Sequence, residues 1–211
     1  CLSEVFAASP GIIPTYFTDY LTLLEKNSNT QDSKVNRNIA YSIGVLAQHA
    51  VMLFQPQVNN ALALLKKLHE NSTEIDAQDN IIAASCRIIE FQFMPLPANQ
   101  RPADFDQILD SVFAKIPFEG DVTENETILK FAVKLYQSEQ ALAMKYMNQI
   151  ATTCVKVICD EKTADCMKVA FKKDVGQFIK TVVMQHATET LQSLEAQMTA
   201  DEKAELAKYM S

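Results

Sequence analysis

The side chains that could do chemistry in this sequence are few and scattered. Cys154, Cys159 and Cys166 fall close together, and thiolates at short spacing can hold zinc. Zinc sites pair two close Cys couples, or Cys with nearby His. Here His49, His69 and His186 are isolated and no second cysteine cluster exists. The thiols are therefore read as buried or neutral, and neither a metal nor a cofactor is expected. No G-x-S-x-G, H-E-x-x-H or phosphate loop is present. Four glycines leave little material for such loops, so no catalytic residue is assigned.

Asp104, Asp106 and Asp110 form an acidic group beside the apolar stripe of Phe105, Ile108, Leu109, Val112, Phe113 and Ile116. Asp106 and Asp110 are four apart and so neighbours on the polar side of a helix. Three readings stand. A solvated helix face is the plainest. A docking surface for a basic peptide comes next. General acid–base catalysis requires one carboxyl to be partly buried with a raised pKa, and an exposed face supplies no reason for that. Asn80 lies mid-helix, where Asn is mediocre by propensity. A buried Asn or Asp inside a repeat can hydrogen-bond the adjacent inter-helix turn and hold the stack.

The elements that must position these residues read as helices throughout. Residues 2–8 look like the tail of a helix broken at Pro10 and Gly11. Ile13, Phe17, Tyr20, Leu21 and Leu24 then mark one face of a second. Asp32 or Ser33 can cap the next, striped by Val35, Ile39, Ile43 and Leu46, and Pro56 opens another. Thr73 with Asp76 resembles a capping box, and Thr123 with Glu126 and Thr199 with Glu202 match it fully. Helices are expected over 102–116, over 140–158, and in a long run from Thr163. The first helices of successive pairs start near 32, 74, 123 and 163. Spacings of about 42, 49 and 40 residues match helix-pair repeats of the HEAT and armadillo kind. The fold class expected is all-α: an α-solenoid (superhelix) of HEAT repeats, about four to five antiparallel helix pairs. A plain helical bundle is the bland alternative.

Composition agrees with this reading. Of 211 residues, 48% are apolar and 21% charged, enough for a sizeable core. Scarce Gly and seven punctuating Pro suit helices joined by short turns. The net charge of −7 carries no basic stripe, so no direct nucleic-acid partner is expected. No apolar run reaches the length of a membrane span. Five Cys, an odd set largely within helical patterns, suit reduced thiols in a cytosolic or nuclear protein. The whole of 1–211 is expected to form a single segment of a longer chain.

Four runs carry a resemblance. QDNIIAASCRII over 78–89, with Asp79, Asn80 and Arg87, resembles the Asp/Glu-Asn-x-x-x-Ala-x-x-Arg/Lys helix of the importin-β family of nuclear transport receptors. Ile116, Pro117 and Phe118, followed by Asp121 and Glu124, resemble the Leu-Pro-Leu-x-x-Asp-x-x-Glu turn of its importin-four and importin-five branch. NIAYSIGVLAQ over 38–48 is similar to a further helix of that branch, and MTADE over 198–202 resembles its terminal segment. Ala200 stands where the family has Pro, and 139–196 matches only in helical rhythm.

The resemblance implies outer and inner helices alternating. By order, 56–70, 102–116 and 140–158 are the inner, cargo-facing helices, with Asn59, Asn60, Asp106, Gln107 and Asp110 on their polar faces. Asp79, Asn80, Arg87 and Pro117 would be structural repeat positions. The implied partners are basic cargo proteins such as ribosomal proteins or histones, and Phe-Gly nucleoporins on the outer helices. Ran-GTP would bind N-terminal repeats absent from this chain. The implied location is cytoplasm and nucleus, with shuttling through the pore. Two other classes stay open: a HEAT scaffold of another assembly without Ran binding, and, more remotely, a helical enzyme using Cys or paired Asp.

Overall fold

The computed structural model describes residues 2–211, the side chain of Ala164 excepted. It is all-α, with no strand among the described residues, and its helix pairs are of the helical-repeat solenoid class. The helices are α1 (Leu2–Ala8), α2 (Ile13–Asn27), α3 (Ser33–His49), α4 (Val51–Phe54), α5 (Val58–Asn71), α6 (Ile75–Ile88) and α7 (Phe105–Phe113). They continue as α8 (Asn125–Ser138), α9 (Gln140–Met144), α10 (Met147–Cys159), α11 (Glu161–Cys166), α12 (Val169–Phe178), α13 (Met184–His186), α14 (Thr188–Gln197) and α15 (Ala200–Met210). The chain divides into two compact units, one of Cys1–Val112 with Glu119–Asp121, the other of Phe113–Phe118 with Val122–Ser211.

The repeat is visible in how one helix turns into the next. Ala50, Glu139 and Ala187 each leave the helical region, with φ/ψ of −123/39, −144/62 and −136/40 degrees. Each N–H still closes the preceding helix, onto Leu46, Leu135 and Val183 at 2.7–2.9 Å. Each C=O opens the next, accepting from Phe54, Ala143 and Leu191 at 2.8–3.0 Å. A single non-helical residue thus reorients the axis while almost no backbone group is left unpaired. The residue four positions on is buried in all three cases.

The corner expected between α6 and α7 is built differently. α6 runs into a π-helical turn, Ile89–Phe93. Pro95, Pro97 and Pro102 then withhold the N–H groups that a tight corner needs. Arg101 organises this loop by reaching back to the carbonyls of Leu96 (3.2 Å) and Met94 (3.4 Å).

In the first unit α3 and α6 lie side by side, and α5 packs on both. Gly44 makes the close approach possible, because a Cβ there would meet Arg87 at 3.0 Å and the Ala84 backbone at 3.2 Å. Ser3, Tyr20 and Ser42 join α1, α2 and α3 through a buried ring of hydroxyls at 2.6–2.8 Å. In the second unit α10 packs against α8, α12, α14 and α15. Phe113 stacks on Tyr146 at 4.2 Å between centroids and lies 6.0 Å from Phe131.

Several helix ends depart from the sequence reading. Asp32 caps α3 through Lys34 and Val35, and Thr199 with Glu202 forms a complete capping box at α15. Thr73 does not cap α6. The N-cap is Glu74, without a side-chain bond, because the Asp76 carboxylate accepts from its own neighbour Ala77. Thr123 sits inside a short 3₁₀ turn, Val122–Glu124, and not at the N-cap of α8. The run expected over 140–158 breaks at Lys145 and Tyr146. The one from Thr163 breaks at Met167 and Lys168, where Lys168 is extended. Buried Tyr146 and Met167 gain more from turning into the core than from continuing a helix.

Candidate functional site

The most connected polar site lies where the turn after α7 meets the start of α6, in the first unit. One carboxylate oxygen of Asp79 accepts the backbone N–H of Gly120 at 2.8 Å and of Asp121 at 2.9 Å. Asn80 donates to the Asp76 carbonyl at 2.9 Å and to the Asp121 carboxylate at 2.8 Å. Arg37 of α3 donates to the same Asp121 oxygen at 2.8 Å, with Asp76 at 3.6 Å. Asp79, Asn80 and Asp121 are buried. Burial pushes the Asp79 carboxyl up from its ordinary value, while the N–H groups of Asp121 and Gly120 pull it back. Gly120 is required by space, since a Cβ there would lie 2.5 Å from the Asp76 nitrogen. This arrangement satisfies a turn and fixes it to two helices. It presents no open carboxylate to a substrate.

Arg87 is buried, with its guanidinium 5.7 Å from the Tyr41 ring centroid. Pro117 follows a cis peptide bond. Next to it Asn125 donates to the Phe118 carbonyl at 3.0 Å and accepts from the Phe118 N–H at 2.8 Å. Sequence reasoning missed Arg37, Gly120 and Asn125. The signals were faint: a basic residue one turn into α3, a rare Gly beside Asp121, and an Asn just after a 3₁₀ turn.

The polar residues assigned to inner helices are all exposed: Asn59 and Asn60 on α5, Asp106, Gln107 and Asp110 on α7. They do not converge. A groove of about 400 Å³ does run between α5 and α7, over α6, but its α7 side is Asp104, Ile108 and Ser111. Asp106 and Asp110 sit about 200° round the helix from Asp104 and Ile108. On α5, Asn60 donates to Gln57 at 3.2 Å, and neither Asn lines the groove.

The second unit has its own groove, of about 450 Å³, between α8 and α12. Its apolar lining includes Leu129, Val133, Phe171, Val175 and Phe178, and its rim includes Lys130, Lys134 and Asp174. The Lys130 ammonium stands 5.6 Å from the Phe171 ring centroid and pairs with Glu126. Space and lining fit an aromatic or aliphatic side chain.

The thiols do not gather. Cys86 and Cys154 are buried, Cys166 is exposed, and Cys1 lies outside the described residues. Burial pushes the Cys154 thiol up to about 12. Burial, with Glu202 and Glu205, pushes Cys159 up to about 11, and its thiol donates to the Glu202 carbonyl. Thiols so raised are weak nucleophiles. Among the described residues no group of three or more His, Cys, Asp or Glu could hold a metal ion. No helix among them is long and apolar enough to cross a membrane.

No protein-family model matches the chain. Among curated proteins it is similar to "Probable importin subunit beta-4" of Schizosaccharomyces pombe, at 24% identity over 158 residues, 75% of this chain and 14% of that protein. It is similar to "Importin-4" of Homo sapiens at 24% identity over 205 residues, 97% of this chain and 18% of that protein. The chain therefore spans less than a fifth of the length of either relative. The chain is thus similar to members of the importin-β family, and its all-helical repeat fold agrees with that similarity.

Proposed function

We propose that this chain is the C-terminal part of an importin-β-like nuclear transport receptor that shuttles between cytoplasm and nucleus. The observation that carries the reading is similarity to Importin-4 over 97% of the chain. In this proposal the receptor takes basic cargo, such as ribosomal proteins or histones, through electrostatic contacts. Asn59, Asn60, Asp106, Gln107 and Asp110 contribute from α5 and α7, all exposed. A net charge of −7 favours encounter with basic proteins. Phe-Gly nucleoporins dock on the outer helices, and the apolar groove between α8 and α12 offers one pocket of suitable size. Ran-GTP acts on repeats outside this chain and releases the cargo. No step uses a catalytic residue.

The test is a pull-down with the full-length protein against Ran locked in its GTP form. Binding that displaces basic cargo is the expected result. Absence of binding removes the receptor reading and favours a helical scaffold.

A further inference from the structure

The groove over α6, between α5 and α7, has an apolar lining and sides of opposite charge. Leu62, Leu65, Ile81, Ile82 and Ile108 supply the lining. Lys66 and His69 stand on the α5 side and Asp104 on the α7 side, all three exposed. Their side chains have no ion pair or hydrogen bond among the described residues. Lys67, next along α5, is engaged by Ser28 and Asn29. The ammonium on this part of α5 that is left for a partner is that of Lys66.

The same lining favours a helix over an extended chain. An extended segment brings a row of backbone N–H and C=O groups that need partners. Here the lining residues of α5, α6 and α7 sit within helices, whose backbone groups pair along the axis. Asp104 precedes α7, and its carbonyl accepts the Ile108 N–H at 3.0 Å. The lining hydroxyls are also engaged: Ser85 donates to the Ile81 carbonyl at 3.0 Å and Ser111 to the Ile108 carbonyl at 2.7 Å. A helix satisfies its own backbone and needs only side-chain contact.

Length and charge narrow the occupant further. Leu62 to His69 on α5, and Asp104 to Ser111 beside and along α7, each span about 10 Å, which matches about two turns of a partner helix. A volume of about 400 Å³ takes the few apolar side chains that such a stretch presents on one face. A wholly basic helix meets repulsion at Lys66, and a wholly acidic one at Asp104. A helix with acid on one flank of its apolar stripe and base on the other meets an opposite charge on each side.

We propose that the groove between α5 and α7 docks about two turns of a partner protein's amphipathic helix. Its apolar stripe lies on Leu62, Ile82 and Ile108, with an acidic residue against Lys66 and His69 and a basic one against Asp104. The proposal goes beyond the transport reading and does not depend on it.

The test titrates the 211-residue chain with a fluorescent, helix-stabilised synthetic peptide. The peptide carries Leu at i, i+4 and i+7, Glu on one flank of that stripe and Lys on the other. Anisotropy rises saturably, and does not rise with a peptide in which Ser replaces Leu. Lys66→Glu and Asp104→Lys each weaken binding about fivefold. The double variant recovers most of the loss, because the helix can lie in the reverse direction along the groove. Lys66→Glu alone also binds a peptide with Lys on both flanks better than the wild type does. Circular dichroism and Tm establish that each variant is folded. If the wild type binds the Lys-flanked peptide as tightly as the mixed one, the groove reads no charge pattern and the proposal fails. It fails equally if the mixed peptide does not bind, or if the folded double variant stays as weak as the single ones. If light scattering shows the chain pairing with itself and Lys66→Glu separates the pair, a second copy covers the groove and the proposal fails. The pull-down against Ran tests the transport reading separately, so the two can fail independently.

Discussion

Asn80 donates its side-chain amide to the Asp121 carboxylate at 2.8 Å, across 41 positions of sequence. The same oxygen accepts Arg37 from α3, and the Asp121 N–H returns a bond to Asp79. Three stretches of chain are therefore fastened by one set of bonds, buried at Asp79, Asn80 and Asp121 and open to solvent at Arg37. Asn is indifferent for a helix, but here its NH₂ group has two acceptors within reach, the Asp76 carbonyl and the Asp121 carboxylate. Leu or Ala would make a better helix and leave both acceptors with one bond fewer.

Replacing Asn80 tests that account. Asn80→Ala should destabilise the chain by about 2 kcal/mol, because a buried carboxylate loses a donor. Asn80→Asp should cost more, by placing a third carboxylate beside Asp76 and Asp121. Denaturant unfolding measures both. A loss below about 0.5 kcal/mol would show that the bond is incidental.

The glycines separate close approach from mere flexibility. A Cβ at Gly120 would lie 2.5 Å from the Asp76 nitrogen, and one at Gly176 would lie 2.1 Å from the Tyr209 carbonyl oxygen. Gly11 has nothing within 4 Å. Thermal melts of the three Gly→Ala variants should show losses of about 2 kcal/mol or more at Gly120 and Gly176. Gly11→Ala should be neutral or slightly stabilising. Equal effects at all three would contradict the packing argument.

His49 supplies a pH dependence. Burial, with the Arg87 cation nearby, holds its pKa below the ordinary 6.5. The native state therefore binds fewer protons than the unfolded one. The stability from this group is present above about pH 6.5 and is lost as pH falls through the lower native value. Between about pH 7 and pH 5 the wild type should lose this increment and His49→Gln should not. Parallel stability curves for the two proteins would rule out the contribution.

Thiol labelling checks the chemistry denied to the cysteines. At about pH 8, peptide mapping after brief alkylation should find Cys166 modified first and Cys159 slowly. Cys86 and Cys154 should react only after unfolding, since both are buried and Cys154 is pushed up to about 12. Rapid native labelling of Cys154 would reopen the nucleophile reading.

Reversing charge on α7 addresses cargo. Asp106→Lys with Asp110→Lys should weaken a basic cargo about tenfold at low salt and flatten the salt dependence of binding. Both positions are exposed, so the fold should be unaffected. Unchanged affinity across a salt series would place cargo elsewhere.

The helical class was legible in the sequence because its cause is local. The stripe of Ile39, Ile43 and Leu46, the Asp32 cap, the Thr199 and Glu202 box and the repeat spacing act within a few turns. The same locality explains the errors. Thr73 and Thr123 look like caps in isolation, but Asp76 is occupied by Ala77, and Asn125 by the Phe118 turn. Long helices were read through Tyr146 and Met167 because periodicity does not register a side chain that turns inward.

Tertiary structure decided what the sequence could not. Arg37 and Gly120 acquire their roles only when α3, α6 and the turn before α8 meet, and spacing along the chain does not encode that meeting. It separated Asp106 and Asp110 from the groove that faces Asp104 and Ile108, a matter of angle about one helix axis. It left Val51, Met52 and Leu53, three apolar residues in succession, exposed to water. By itself, the sequence determined that this chain forms amphipathic helix pairs, because burial of apolar stripes follows from their period. Which polar groups pair, and which apolar ones stay exposed, depended on distances that only the folded chain creates.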